Sequence, residues 1–342
     1  MCAANSGFFA RERGGADGGK ERDVPKQFMR IRDLGHAGAL AVLDRARRIR
    51  RSPAASPVLS PASASGPAPE ASPERFPESA TQAASQPPRC LAGKTAALVF
   101  ETVDESSLAL FETAVRRLGG TPRRVASVES RSDGLETPEE IALSHGADIL
   151  ILRACSRSRF ERLAADSGVP VLNAGDEAGD PGRVLADLLH VLEREGDFAR
   201  TRVAWIGEAN GVASSWIEAA IYFPFELFMA VPPGREPDRA LLGLALQAGA
   251  KIFLTYEPHM AIQGAGYVCI NDAGGGAPVL TPELAALAAP GAVLLDGRAP
   301  GRPEGVSEGD AAGDSLYGLS PAPDRDESRL CLIEALLEWL AA

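Results

Sequence analysis

Ala96-Ala97-Leu98-Val99-Phe100 is the stretch that decides the fold. Five consecutive apolar residues with no polar alternation read as a strand buried on both faces, the habit of parallel sheets covered by helices. Downstream, Leu108 to Leu118 has helical spacing. Two further buried runs follow, Ile149-Leu150-Ile151-Leu152 and Val169-Pro170-Val171-Leu172, interleaved with helices predicted over 159–165 and 184–192. A second unit opens at Arg202-Val203-Ala204-Trp205-Ile206-Gly207. It continues through Ile252-Phe253-Leu254-Thr255, Tyr267-Val268-Cys269-Ile270 and Ala292-Val293-Leu294-Leu295. Leu330, Ile333, Leu337 and Leu340 predict a closing helix. Short strands alternating with amphipathic helices predict an α/β protein of two doubly wound parallel-sheet domains. In such sheets ligands sit at strand ends near the topological switch and in the cleft between halves.

Upstream of the strand, residues 1–25 are Gly-rich and charged without periodicity and read as a flexible tail. Residues 26–50 hold a helix whose apolar face is Ala39, Val42, Leu43, Ala46 and Ile49, with Asp33 or Gly35 as its cap. Residues 51–90, rich in Pro, Ala and Ser, cannot bury enough apolar surface to offset their ordering entropy and read as a disordered insert, a spacer. This divides the rest into domains at 91–196 and 197–325, with a terminal helix at 326–342 packing on the first.

The 342 residues, 45% hydrophobic and 24% charged, suffice for two domains at ~150 residues each. A net charge of -11 opposes a nucleic-acid partner, which needs cations to neutralise phosphates. No apolar run reaches the ~20 residues of a membrane span, and no leader is evident, so the expectation is a cytoplasmic protein without membrane association. Cys2, Cys90, Cys155, Cys269 and Cys331 are scattered without C-x-x-C or nearby His, as are reduced thiols, and no metal is expected. The Gly207 to Gly211 turn lacks G-x-G-x-x-G, so no nucleotide cofactor is expected. His36, His145, His190 and His259 fit surface or satisfied core positions better than catalysis.

Several segments together carry a resemblance. They are Leu91-Ala92-Gly93-Lys94-Thr95 running into Phe100-Glu101, then Phe111-Glu112, Leu118-Gly119-Gly120, Val169 to Asn173, Leu185 to Leu189, and Val203 to Gly207 with Asn210. In this collinear order they resemble the aspartate/ornithine carbamoyltransferase family, most of all its ornithine carbamoyltransferases; Gln27-Phe28-Met29 and Asp33-Leu34 are similar to that family's first helix. The resemblance implies transfer of a carbamoyl group from carbamoyl phosphate to ornithine, giving citrulline and phosphate, a step of arginine biosynthesis. It also implies a homo-oligomer, a trimer with shared sites, and small-molecule ligands of the carbamoyl phosphate or amino acid kind. The chemistry is largely positioning plus cationic and N–H stabilisation of developing negative charge.

Where the family carries S-T-R-T-R, this chain has Asp104-Glu105-Ser106-Ser107-Leu108. Both arginines are gone, and two carboxylates stand where a dianion would bind. At an effective dielectric of ~20, such a like-charge contact at ~4 Å costs about 4 kcal/mol, roughly three decades of affinity; both acids suit a helix start instead. The family's H-P-x-Q reads Asp180-Pro181-Gly182-Arg183. Arg153 occupies the place of a retained anion-binding arginine. On the amino-acid side Asn210 matches the first of two adjacent asparagines and Gly211 replaces the second. D-x-x-x-S-M falls on Asp272 to Ala277, leaving Asn271 or Asp272 to accept from an amine, and H-C-L-P falls on Asp296-Gly297-Arg298-Ala299. Arg302 and Arg329 match retained arginines.

Two functional expectations follow. In the first, the scaffold persists with absent or much reduced activity, a pseudoenzyme with a binding or assembly role. In the second, the chain is a transferase of altered specificity with an anion site rebuilt from Arg153, Arg183, Arg298 and Arg302.

Overall fold

The computed structural model describes residues 25–52, 89–101, 104–126, 143, 146–153, 156–271, 280–296, 319–322 and 324–342. Nearly all of the expected tail and of the expected insert lie outside the described residues, as do Cys2, His145 and Cys155.

The first sheet has five parallel strands, β1 (Gln27–Phe28), β2 (Thr95–Phe100), β3 (Thr121–Ala126), β4 (Ile149–Arg153) and β5 (Val171–Asn173), in the order β1-β5-β4-β2-β3. The opening pentapeptide is β2, and its lack of alternation has a direct cause. Ala96, Leu98 and Phe100 face one core while Ala97 and Val99 face another with Leu150, Leu152 and Phe160. Edge strand β1 is tied on by Gln27, whose Oε1 accepts from Val171 N at 2.7 Å. Strand β3 escaped the sequence reading because Pro122, Arg123 and Arg124 break the apolar pattern; an edge position tolerates all three.

The second sheet is also parallel, with β6 (Arg202–Gly207), β7 (Glu226–Ala230), β8 (Lys251–Thr255), β9 (Tyr267–Asn271), β10 (Val293–Asp296) and β11 (Ser320–Pro321) in the order β11-β10-β9-β6-β7-β8. The two doubly wound sheets expected from sequence are therefore present, with β3, β7 and the two-residue strands added.

Helices α1 (Gly35–Arg51), α2 (Glu105–Arg117), α3 (Arg157–Asp166) and α4 (Pro181–Glu195) accompany the first sheet. With the second go α5 (Gly211–Tyr222), α6 (Arg239–Gln247), α7 (Pro258–Ile262) and α8 (Pro282–Ala285). The closing helix α9 (Arg325–Ala341) packs against α1, α2 and α4, which explains why Leu330, Cys331, Leu332, Leu336 and Leu337 are all buried. One expectation needs correcting: neither Asp33 nor Gly35 caps α1. Leu34 is its N-cap, without a side-chain bond, and Asp33 instead accepts from Met29 N and Arg30 N at 2.8 Å each.

A single apolar core runs from Leu98 and Ile151 through Val184 and Leu188 to Trp216 and Trp205, joining the two sheets. Helix α4 meets α5 at this junction. Among the described residues, no helix is long and apolar enough to cross a membrane.

Candidate functional site

In the first sheet the chain winds outward from β2 to β3 and then returns to β4 on the other side, so the topological switch lies between β2 and β4. Asp104 follows β2 and Arg153 ends β4, which brings both to this point.

Asp104 is the N-cap of α2. Its carboxylate accepts from Ser107 N at 3.1 Å, Ser107 Oγ at 2.7 Å and Ser106 Oγ at 2.8 Å. The buried guanidinium of Arg153 donates to Asp104 Oδ2 at 2.8 Å and to Ala174 O at 2.5 Å, with Asp180 Oδ2 at 3.9 Å. Burial alone would push the Asp104 carboxyl up. The Ser107 hydroxyl and N–H, the Ser106 hydroxyl and the Arg153 cation outweigh it and hold the group at about 2. The donors that this helix start would offer an anion are thus taken up by the protein's own carboxylate. Glu105 turns away to Arg124 at 3.2 Å, and Leu108 is buried in the core.

Asp180 repeats the arrangement as N-cap of α4, accepting from Arg183 N at 3.1 Å while its own N–H donates to Ser215 Oγ at 3.0 Å. Arg329, from α9, donates to Ser107 Oγ at 3.0 Å; burial lowers its pKa, opposed by Asp180. Asn173, Asp180, Gly182, Arg183 and Arg329 share a cavity of about 20 Å³ with apolar neighbours including Phe111, room for about one water. Arg153, Arg183, Arg329, Asp104, Asp180, Ser106 and Ser107 therefore converge, although they come from four separate parts of the chain.

The switch of the second sheet lies between β6 and β9, where Gly207 and Asn271 pair. Gly207 has φ +123°, and a Cβ there would run into the Asn271 carbonyl. Asn271 is buried and donates to Glu208 O at 2.8 Å, while Asn210 caps α5 by accepting from Ala213 N at 3.0 Å. At Gly211 a Cβ would stand 2.6 Å from Glu177 O and 2.7 Å from Gly179 N, so the 176–179 turn closes over this position. Asp296 ends β10; Asp272, Gly297, Arg298 and Arg302 lie outside the described residues.

Sequence reasoning missed the residues that fasten this turn. Arg30 meets buried Asp176 at 3.3 Å, Ser215 holds Asp180 N, and buried Glu218 accepts from Ile31 N and Arg32 N at 3.3 Å each. Arg30 and Asp176 are 146 positions apart, and no motif spacing links them. Of the histidines, His36 Nδ1 meets Tyr222 O at 2.8 Å and His259 pairs with exposed Glu257 at 3.6 Å. His190 is a core residue, and among the described residues its buried Nε2 has no hydrogen-bond partner. Among the described residues no group of three His, Cys, Asp or Glu side chains is placed to hold a metal.

Two doubly wound parallel sheets, the first with a buried arginine and a carboxylate-capped helix start at its switch point, define a class: an α/β protein of two parallel-sheet domains. Comparison with known proteins narrows it. The profile described as aspartate/ornithine carbamoyltransferase, carbamoyl-P binding domain, matches residues 26–193. A Nitratidesulfovibrio vulgaris (strain DP4) protein named ornithine carbamoyltransferase is 39% identical over 332 residues, covering 93% of this chain and 99% of its own. An Oleidesulfovibrio alaskensis protein of the same name is 35% identical over 347 residues, with the same coverage of 93% and 99%. The crystal structure of ornithine carbamoyltransferase from Thermus thermophilus superposes with a TM-score of 0.69 at 24% identity, over 93% of this chain and 99% of that one, a likeness of fold. The chain belongs to the aspartate/ornithine carbamoyltransferase family.

Proposed function

We propose that this chain is a transcarbamylase-fold protein in which carbamoyl transfer from carbamoyl phosphate to ornithine is absent or much reduced, leaving a binding or assembly role. The observation that carries the reading is the Asp104 carboxylate held by Ser106, Ser107 and Arg153. An incoming phosphate has to displace an ionised group from its own donors and then sit beside it. The closed turn over Gly211 adds support on the amino-acid side, because no side chain at that position has room to grip a substrate.

The names of the relatives point instead to an active ornithine carbamoyltransferase. One assay separates the two: purified chain incubated with carbamoyl phosphate and ornithine, followed by measurement of citrulline and phosphate. The expected result is no formation above the uncatalysed background, whereas robust turnover rejects the proposal.

A transferase of altered specificity is the second reading, favoured by Arg183 and Arg329 lining one cavity beside Arg153. Isothermal titration with carbamoyl phosphate and other acyl phosphates tests it, and binding of none removes it. The same proposal includes homo-oligomeric assembly, a trimer by analogy with the family, a cytoplasmic location, and domains at 91–196 and 197–325 with the 326–342 helix returning to the first.

A further inference from the structure

The chain passes from α4 to β6 of the second sheet through residues 196–201, and it returns from β11 to α9, which packs on α1, α2 and α4. Gly196 ends α4 in the left-handed region, at φ +83°. On the return, Asp324 is the N-cap of α9 with φ +49°, a conformation that a non-glycine residue keeps only when its surroundings fix it. Arg50 of α1 does so, donating to Asp324 Oδ2 at 3.2 Å, Glu193 Oε2 at 2.6 Å and Ser328 Oγ at 2.7 Å. Beside the outward passage, Arg194 donates to Gly291 O at 3.0 Å and lies over the Tyr267 ring, whose hydroxyl donates to Glu195 Oε1 at 3.1 Å.

His190, on the last turns of α4, is buried between these two passages, its ring edge-on to Tyr267 of β9 at 6.2 Å. Its Nε2 has neither solvent nor a hydrogen-bond partner among the described residues. A neutral imidazole can leave that nitrogen bare, whereas an imidazolium puts a charged N–H there with no acceptor, a larger penalty. The charged and titratable groups that act on the ring are Arg194 and Glu195 of its own helix, Arg50 of α1, Asp324 ahead of α9 and Tyr267 of β9. Both carboxylates are already engaged, Asp324 by Arg50 and Glu195 by Tyr267. We propose that His190 is a proton-operated switch at the junction of the two sheets: the neutral ring holds α4 against β9, and uptake of a proton from solvent turns the ring out toward water and loosens the junction. Burial and the Arg194 and Arg50 cations keep the imidazole below its ordinary value, so the packed junction disfavours a proton that a loosened one accepts. The junction is therefore tightest above pH ~6.5 and weakens as pH falls below it. Because one proton is taken up, each pH unit in that window favours the loosened form by up to about ten-fold.

Amide hydrogen exchange of the full chain tests this, read by mass spectrometry at about pH 7.5 and about pH 5.5, either side of an ordinary histidine, with rates corrected for the intrinsic effect of pH. In the wild type, protection over residues 190–201 and 267–271 is expected to fall by roughly ten-fold on acidification, while β2 keeps its protection. His190→Phe keeps a ring against Tyr267 and cannot take up a proton, so this fall is expected to vanish. His190→Gln, neutral and polar, is expected to remove it as well and serves where phenylalanine disturbs the packing; circular dichroism checks that both variants fold. A local fall in the wild type that both variants lack supports the switch, since a merely structural histidine changes protection equally at the two pH values. No fall in the wild type, a fall shared by β2, or a fall of the same size in either variant overturns it.

Discussion

Asp104 and Glu218 show how two carboxylates acquire opposite roles. The hydrogen bonds and the Arg153 cation around Asp104 hold its folded pKa at about 2, below the ordinary carboxylate value. Its contribution to stability is therefore fully present above pH ~4 and is lost as pH falls toward 2. Asp104→Asn keeps the shape and removes the charge. It is expected to flatten this acid limb in urea titrations and to raise affinity for inorganic phosphate by ten-fold to a thousand-fold in calorimetry, the upper figure following from about 4 kcal/mol of removed repulsion. An unchanged phosphate affinity contradicts the role given to this carboxylate. Glu218 has the other sign. Burial raises its pKa against the lowering effect of the Arg32 and Ile31 N–H groups. Its contribution is present below pH ~4.3 and lost as pH rises through the folded value. Between pH 4.5 and 7 the wild type should lose stability on this account, and Glu218→Gln should lose less, read as the difference in urea midpoint at the two pH values.

At the scale of elements, the start of α5 is set by what packs on it. Because Gly211 leaves no space for a Cβ beneath Glu177 O and Gly179 N, Gly211→Ala is expected to cost ~1–3 kcal/mol, measured by chemical unfolding. Gly211→Asn, which introduces the residue that the resemblance implies at this position, is expected to lose at least as much without gaining ornithine binding. Elements with strong apolar patterns were legible in the chain: β2, β4, β6, β9 and α9 all fall where periodicity places them. Strand β3 was not, because its Arg123 and Arg124 suit a solvent-facing edge, and neither was α5, whose sequence is apolar nearly all round and presents no polar stripe. The site was legible in part. Asp104 and Glu105 read as suited to a helix start and Arg153 as an anion-binding position, but nothing in the spacing said that Asp180 would cap α4 or that Arg153 would close on Asp104.

For the whole molecule, the junction between the sheets rests on the shared core and on contacts such as Arg30 with Asp176, whose carboxylate is buried. Burial raises the Asp176 pKa and Arg30 opposes it. Arg30→Met, which leaves that carboxylate without its cation, is expected to destabilise the chain by ~3–5 kcal/mol in urea unfolding, and Arg30→Met with Asp176→Asn by clearly less. Equal losses in both variants mean that the pair contributes nothing specific. By itself the amino-acid sequence determined the two-sheet architecture and the family. These depend on local periodicity and residue identity, which the linear order preserves. Only the tertiary structure decided that the Asp104 carboxylate takes the donors of its own helix and the guanidinium of Arg153, that a turn closes over Gly211, and that His190 lies against Tyr267 of the other sheet. Each depends on groups distant in sequence meeting at angstrom distances, and chain order does not encode such meetings until the core has packed.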